Sequence, residues 1–339
     1  MQVKISQAVR MITAAIKAGV VPMMKGSPGT GKSQIVYQIA ETYNLKVIDL
    51  RLSQCDPTDL AGFPTIVDGK KSDYMPMMHF PIEGDPLPQG YSGWLLFLDE
   101  ATSAAPAIQA AAYKLVLDKM VGSHRLHKKV AMVLAGNLET DGAIVFTMST
   151  ALQSRLLHLE LVCDAKEWND WATTKGEIDY RITSYINYKP GQIYTFSPDH
   201  TDCTYACPRT WEFANRILGV ADINSPDLTP LLAGTLGEGV AREFVGFCKI
   251  HEELLKPEQI VANPEKVKVP TEPSILFALT GSIAHNMDTA NGEAFMKFVT
   301  RLPVEFQVVC LRESIRRNKQ MIGHKSIQTW ISESATALF

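Results

Sequence analysis

The sequence predicts an α/β fold in which a five-stranded, mainly parallel sheet with helices on both faces is followed by a smaller, mostly helical region and a helical C-terminal region. Three observations predict it. Five short apolar runs recur within the first 163 residues. Helix-like stretches separate several of them, an alternation that belongs to parallel sheets. After Asp164 the strand pattern fades and tryptophan and isoleucine recur at helical spacing. With 339 residues, 46% hydrophobic and 20% charged, the chain can hold two or three domains, each with its own core. The spans expected are 1–163, 164–225 and 226–339.

Each element follows from a local pattern. Ile5, Val9, Ile12 and Ile16 recur at helical spacing and stop at Gly19, which predicts an amphipathic first helix. The first strand is read at 20–24, and Ile35, Val36, Ile39 and Ala40 mark the helix behind it. The other strands are read at 46–52 (KVIDLRL), 94–98 (WLLFL), 130–135 (VAMVLA) and 155–162 (RLLHLELV), with a helix over 104–120. From Pro57 to Gly93 the chain is rich in Pro, Gly, Asp and Met without sustained period, which predicts a long functional loop or an inserted hairpin. Trp168, Trp171, Ile178, Ile182 and Ile186 predict helices. Residues 188–208 read as loop, and a helix over 209–218 starts behind Pro208. A stretch containing Pro and Lys at 256–273 precedes the last helices, at 275–285, 292–301, 304–318 and 327–332.

Composition bounds the function. A formal net charge of -3 carries no signature of nucleic-acid binding. The local basic runs HRLHKK (124–129) and RESIRRNK (312–319) read as a solvated turn and the polar face of a helix. No apolar run approaches the about eighteen residues that a membrane span needs, and the N-terminus lacks the order of a signal peptide. A cytoplasmic protein with no membrane partner is therefore expected. Six scattered cysteines in a chain of this size read as reduced thiols. His200, Cys203 and Cys207 form the one tight cluster, but with no fourth ligand nearby they read as loop and core residues rather than a zinc site.

The chemistry concentrates at GSPGTGKS. Gly26, Gly31, Lys32 and Ser33 satisfy the spacing GxxxxGK[ST] between a strand and a helix. In such a loop, formed by Gly26, Ser27, Pro28, Gly29, Thr30 and Gly31, the backbone N–H groups of every residue but Pro28 are offered to phosphates, and the helix behind adds a favourable dipole. Lys32 is expected to contact the β- and γ-phosphates of ATP, and Ser33 to ligate Mg²⁺. WLLFLDE places Asp99 and Glu100 at the end of a buried strand, Asp99 for Mg²⁺ and Glu100 as general base toward the attacking water. Asn137 closes the strand VAMVLAGN, where its amide is placed to orient that water. Arg155 precedes the fifth strand and suits the stabilisation of transition-state charge in a neighbouring subunit. Arg209 begins a helix of the second region, positioned to reach a γ-phosphate.

The order of these motifs resembles an AAA+ ATPase, and within that class the MoxR-like group. GSPGTGKS, LSQCDPTDLAGFP, GWLLFLDEATSAAPAIQAAAYKLVLD, VLAGN, ALQSRLLHLEL and CPRTWEFANRIL carry the resemblance, over about the first 220 residues. It implies Walker A at Gly26 to Ser33, Walker B at Asp99 and Glu100, sensor 1 at Asn137, an arginine finger at Arg155 and sensor 2 at Arg209. Arg125, in the turn before the fourth strand, reads as a plain turn residue, with a second intersubunit arginine as the alternative. The resemblance further implies a homo-oligomeric ring, a hexamer, that remodels a protein client, often beside a von Willebrand A domain protein. A nucleic-acid motor or replication loader of the same class is the alternative.

Overall fold

The computed structural model describes residues 1–142, 145–253 and 256–338. They divide into two compact units, one of residues 1–163 with 197–199 and one of residues 164–196 with 200–339. The first is α/β. Its strands are β1 (Gln2–Val3), β2 (Val21–Lys25), β3 (Leu45–Arg51), β4 (Phe63–Val67), β5 (Lys71–Met75), β6 (Gly93–Asp99), β7 (Met120–Val121), β8 (His124–Arg125), β9 (Val130–Gly136) and β10 (Leu156–Leu161). Its helices are α1 (Ile5–Lys17), α2 (Lys32–Thr42), α3 (Pro57–Ala61), α4 (Pro106–Asp118) and α5 (Thr150–Gln153).

The central sheet runs β1-β10-β2-β9-β6-β3, and every pairing in it is parallel. All five predicted strands lie in it. The count of five needs correction to six, because Gln2 and Val3 pair with Glu160 and Leu161 at one edge. Two residues have no period to read. Period-two alternation divides the strands cleanly between two cores. Met24, Leu95, Phe97, Val133 and Leu159 face α1 and α2 with Ile12, Ile35 and Ile39. Met23, Leu96, Leu98, Met132 and Leu134 face α4 with Ile108, Leu115 and Val116.

The aperiodic stretch after Pro57 holds α3 and the antiparallel hairpin β4–β5, so the inserted-hairpin reading is the one that applies. Most side chains of β4 and β5 are exposed, Ile66 at 74%, and a strand with no buried face has no alternation to display. A second small hairpin, β7–β8, stands beside it, with the Ser123 hydroxyl donating to the Asp73 carboxylate at 2.8 Å.

The second unit is helical, with α6 (Ala165–Thr174), α7 (Tyr180–Tyr188), α8 (Pro208–Leu218), α9 (Leu228–Leu236), α10 (Glu238–Glu253), α11 (Pro257–Ala262), α12 (Pro273–Asn286), α13 (Gly292–Val299), α14 (Val304–Arg317) and α15 (Lys325–Leu338). Helices α9, α10 and α11 escape the sequence reading. Pro230 and Gly234 interrupt α9, Gly239 and Gly246 interrupt α10, Gly237 lies between them, and α11 is six residues long inside the Pro- and Lys-containing stretch at 256–273. Tyr185, Trp211 and Phe244 form one buried aromatic core, and Leu279, Phe295, Phe298 and Leu311 lie in another. The run RESIRRNK is a solvated basic face only in part, with Arg312 and Lys319 exposed. Arg316 pairs with Asp170 at 2.5 Å and Arg317 with buried Glu313 at 2.9 Å, so two of its cations are neutralised within the unit. HRLHKK is exposed at Arg125, Lys128 and Lys129, with Lys128 3.7 Å from Glu83, while Leu126 is buried in the core. Among the described residues no helix is long and apolar enough to cross a membrane.

Candidate functional site

In an open parallel sheet the strand carboxyl ends share one rim, and ligands sit where the strand order reverses. Here that place is β2, flanked by β9 and β10, with the chain moving away from it in both directions. The predicted loop leaves β2 at this point. Gly29 (φ 78°) and Gly31 (φ 90°) both lie in the left-handed region that favours glycine, and Gly31 is the N-cap of α2. The N–H groups of Gly29, Thr30 and Gly31 meet no acceptor among the described residues. Helix α2 has neither an acidic residue in its first turn nor a side-chain cap. The concavity therefore offers several donors and a positive helix end to an anion.

Lys32 is anchored from within. Its ammonium donates to Gly26 O at 2.6 Å, Ser27 O at 3.1 Å and Asn137 Oδ1 at 3.1 Å. Thr30, buried, ties the loop to itself by donating to Ser27 O at 2.8 Å. The Ser27 hydroxyl donates to Asp141 Oδ1 at 3.0 Å, and the other Asp141 oxygen takes the Leu138 N–H at 3.3 Å. The loop and the segment after β9 are thus cross-linked twice, through Lys32 and through Asp141.

Asp99 ends β6 with Oδ2 3.4 Å from the Ser33 hydroxyl. Burial pushes its carboxyl above the usual range, and the Glu100 N–H and Lys32 pull it down without prevailing; Asp49 and Glu100 push it further up. A carboxylate short of compensating charge beside a hydroxyl is a hard-oxygen pair that fits Mg²⁺, with the remaining positions left to water and phosphate. The next residue, Glu100, takes φ 56°, unusual for a side chain with a Cβ, which turns the chain sharply off the sheet. Its N–H donates to Asp99 Oδ1 at 2.8 Å, and its carboxylate accepts from the Ser53 hydroxyl.

Asn137 follows β9 directly, and Thr102 holds its main chain. Its N–H donates to Thr102 Oγ1 at 2.9 Å, and that hydroxyl donates to Asn137 O at 3.2 Å. Residues 26–33, Asp99 and Asn137 are therefore gathered in the structure as linked neighbours, with Glu100 adjacent through Asp99.

Of the two predicted arginines, Arg155 lies outside this linked group and Arg209 belongs to the other unit. Arg155 is exposed in the turn between α5 and β10, donating to Ala151 O at 2.7 Å with its guanidinium 5.7 Å from the Tyr113 ring centre. Arg209 is the exposed second residue of α8 in the helical unit. Arg125 is exposed on β8. His200 packs against the rings of Phe196 and Tyr205, Cys203 is exposed, and the buried thiol of Cys207 lies 3.6 Å from the Thr210 hydroxyl.

Ser53, Thr102 and Asp141 escape sequence reasoning. Each is a short polar residue in a turn just past a strand, a type so common there that spacing alone gives no signal.

No protein-family model and no curated protein sequence matches the chain. Among solved structures it is similar to the RuvB Holliday junction branch migration motor of Thermotoga maritima, at 15% identity and TM-score 0.38, covering 82% of this chain and 80% of that one. A mutant of the same RuvB gives 17% identity and TM-score 0.40 with the same coverage. A candidate ATPase from Cytophaga hutchinsonii gives 13% identity and TM-score 0.36, covering 97% of this chain and 87% of that one. Likenesses this distant assign neither a family nor an activity.

Proposed function

We propose that the chain is an Mg²⁺-dependent ATPase of the AAA+ class and MoxR-like group, built as an ATPase core over 1–163, a lid over 164–225 and a helical C-terminal region over 226–339. The observation that carries the reading is the placement of Lys32. Its ammonium is held by Gly26 O, Ser27 O and Asn137 Oδ1 at the mouth of a loop whose N–H groups await an anion, one residue before the Ser33–Asp99 pair.

The residues divide the work of phosphoryl transfer. The loop N–H groups and Lys32 bind the β- and γ-phosphates, and Ser33 and Asp99 hold Mg²⁺, which neutralises phosphate charge when bound. Glu100 draws a proton from the attacking water, and Asn137 orients it. Arg155, exposed and away from its own loop, serves the site of a neighbouring subunit. Arg209 reads the γ-phosphate from the lid and converts its loss into motion. Such a division requires a homo-oligomeric ring, a hexamer by the resemblance. Its work is remodelling or assembly of a cytoplasmic protein client, with a von Willebrand A domain protein as the partner that the resemblance implies.

The test is the Glu100→Gln variant with ATP and Mg²⁺. It should bind ATP, fail to turn it over and persist as a ring by light scattering, carrying a protein client in pulldowns. A monomer under these conditions overturns the ring. Recovery of nucleic acid alone, or several-fold stimulation of turnover by DNA or RNA with a steep salt dependence, replaces the remodeller with the nucleic-acid motor.

A further inference from the structure

Thr102 lies 1% exposed in the turn that follows Glu100, and its hydroxyl touches one residue from both sides. It accepts the N–H of Asn137 at 2.9 Å and donates to the C=O of Asn137 at 3.2 Å. Rotation of either peptide flanking Asn137 breaks one of these bonds, while the Asn137 side chain stays free to meet Lys32 at 3.1 Å. The clamp is built into both strand ends. Ala101 N–H donates to Ala135 O at 2.8 Å, and Phe146 N–H donates to Thr102 O at 2.7 Å, so the turn is pinned before and after the hydroxyl.

Gly136 makes room for it. A Cβ at that position would stand 2.5 Å from Thr102 Oγ1, 2.7 Å from Thr102 Cγ2 and 2.9 Å from Met23 Cε, so even alanine forces a shift. The turn that carries Glu100 at its unusual φ and the strand end that carries Asn137 are thereby tied at a set separation.

We infer that Thr102 is a positioning residue for hydrolysis, whose hydroxyl fixes the main chain of Asn137 so that its amide and the Glu100 carboxylate keep their relation across the attacking water. The inference rests on the reading of the site as an ATPase. It adds a residue outside that roster and assigns it a role in catalysis rather than in nucleotide binding. A hydroxyl that merely satisfies a buried N–H would affect stability alone, and the two roles separate by measurement.

Thr102→Val preserves shape and removes both hydrogen bonds, whereas Thr102→Ser keeps the hydroxyl and loses the methyl. Turnover of MgATP, affinity for a fluorescent ATP analogue and Tm are measured for both beside the parent chain. The valine variant is expected to lose roughly 10²-fold in kcat, the scale of a small misplacement of a reacting group, while nucleotide affinity stays within about twofold. The serine variant is expected to keep turnover within about threefold although its Tm falls, because the lost methyl leaves a gap. Gly136→Ala, which displaces Thr102 without altering it, should reproduce the valine phenotype and carries the test if Thr102→Val fails to fold.

Parent-like turnover in Thr102→Val, or equal losses in the valine and serine variants that track Tm, overturns the positioning role while leaving the ATPase reading standing. A parent chain that neither binds nor hydrolyses MgATP overturns the ATPase reading, and this inference with it.

Discussion

Asp99 in the α/β unit and Asp179 in the helical unit are both half-buried, yet their surroundings move them in opposite directions. Burial raises the carboxyl of Asp99 and no nearby cation offsets it fully. Burial also pushes Asp179 upward, but the Arg181 guanidinium at 2.7 Å outweighs it and holds the carboxyl below the usual range. The difference recurs across the two units. Glu313 is buried with Arg317 at 2.9 Å and the Thr183 hydroxyl at 2.9 Å, and Glu243 takes the Tyr185 hydroxyl at 2.7 Å together with Lys189. Asp179, Glu243 and Glu313 find their partners within the helical unit, where Glu212 is nevertheless raised by burial despite Arg216 and Arg209, whereas the α/β unit leaves Asp99 and a set of N–H groups at one strand rim for something else to complete. Polar groups left incomplete at a strand rim mark a ligand site more reliably than polar groups that are merely buried.

Six variants break or sharpen that comparison. The largest effects belong to the incomplete side. Lys32→Ala should abolish ATP binding in an equilibrium assay, and Arg155→Ala should keep binding yet lose roughly 10³-fold in turnover, as removal of a trans-acting arginine does. Unchanged turnover in the second variant would move the finger elsewhere. On the completed side, Glu313→Ala strands Arg317 in a buried setting and should cost about 3–5 kcal/mol in urea unfolding, with ATP affinity unaffected. A loss near zero would mean that the pair is solvated in practice.

The two aspartates give a test of sign. Because the folded-state carboxyl of Asp99 lies above its unfolded value, its ionisation opposes folding at neutral pH, an opposition that fades as pH falls back through the raised range. Asp99→Asn should raise Tm at neutral pH, with the gain shrinking toward pH 4, while abolishing Mg²⁺-dependent turnover. Asp179 is depressed, so its contribution is present above the unfolded value and is lost as pH falls through the folded one. Asp179→Asn should therefore lower Tm at neutral pH and converge on the parent in acid. Shifts of the same sign would dissolve the contrast. The smallest effect is expected for Ser27→Ala, which removes the 3.0 Å bond to Asp141 and should cost about 0.5–1.5 kcal/mol.

The parts of the molecule visible in the sequence are those whose physics is local. Strands β2, β6 and β9 are nearly continuous apolar runs because they are covered on both faces, and GSPGTGKS is contiguous because one loop must wrap one phosphate group. Asp99, Glu100 and Asn137 were readable as strand ends. Thr102 and Asp141 were not, since what makes them matter is contact with Asn137 and Ser27 across the sheet, which spacing does not encode. Helices α9 and α10 were hidden by glycines inside them, and β1 by its two-residue length. The grouping of the helices was equally out of reach, because helix packing depends on which faces meet.

The parallel order of the sheet also bears on how the chain reaches this structure. Strand β2, which carries the glycine loop, pairs with residues 134–136 on one side and 156–160 on the other, and both partners come more than a hundred residues later in the chain. A chain made from its N-terminus therefore holds the loop complete in sequence long before its strand can be seated. The apolar segment of β2 lacks both of its strand partners through that interval, and sheets with such distant partners form slowly. The nucleotide site is in this sense a late product of folding, and a ligand that binds it would report completion of the whole sheet rather than formation of the loop.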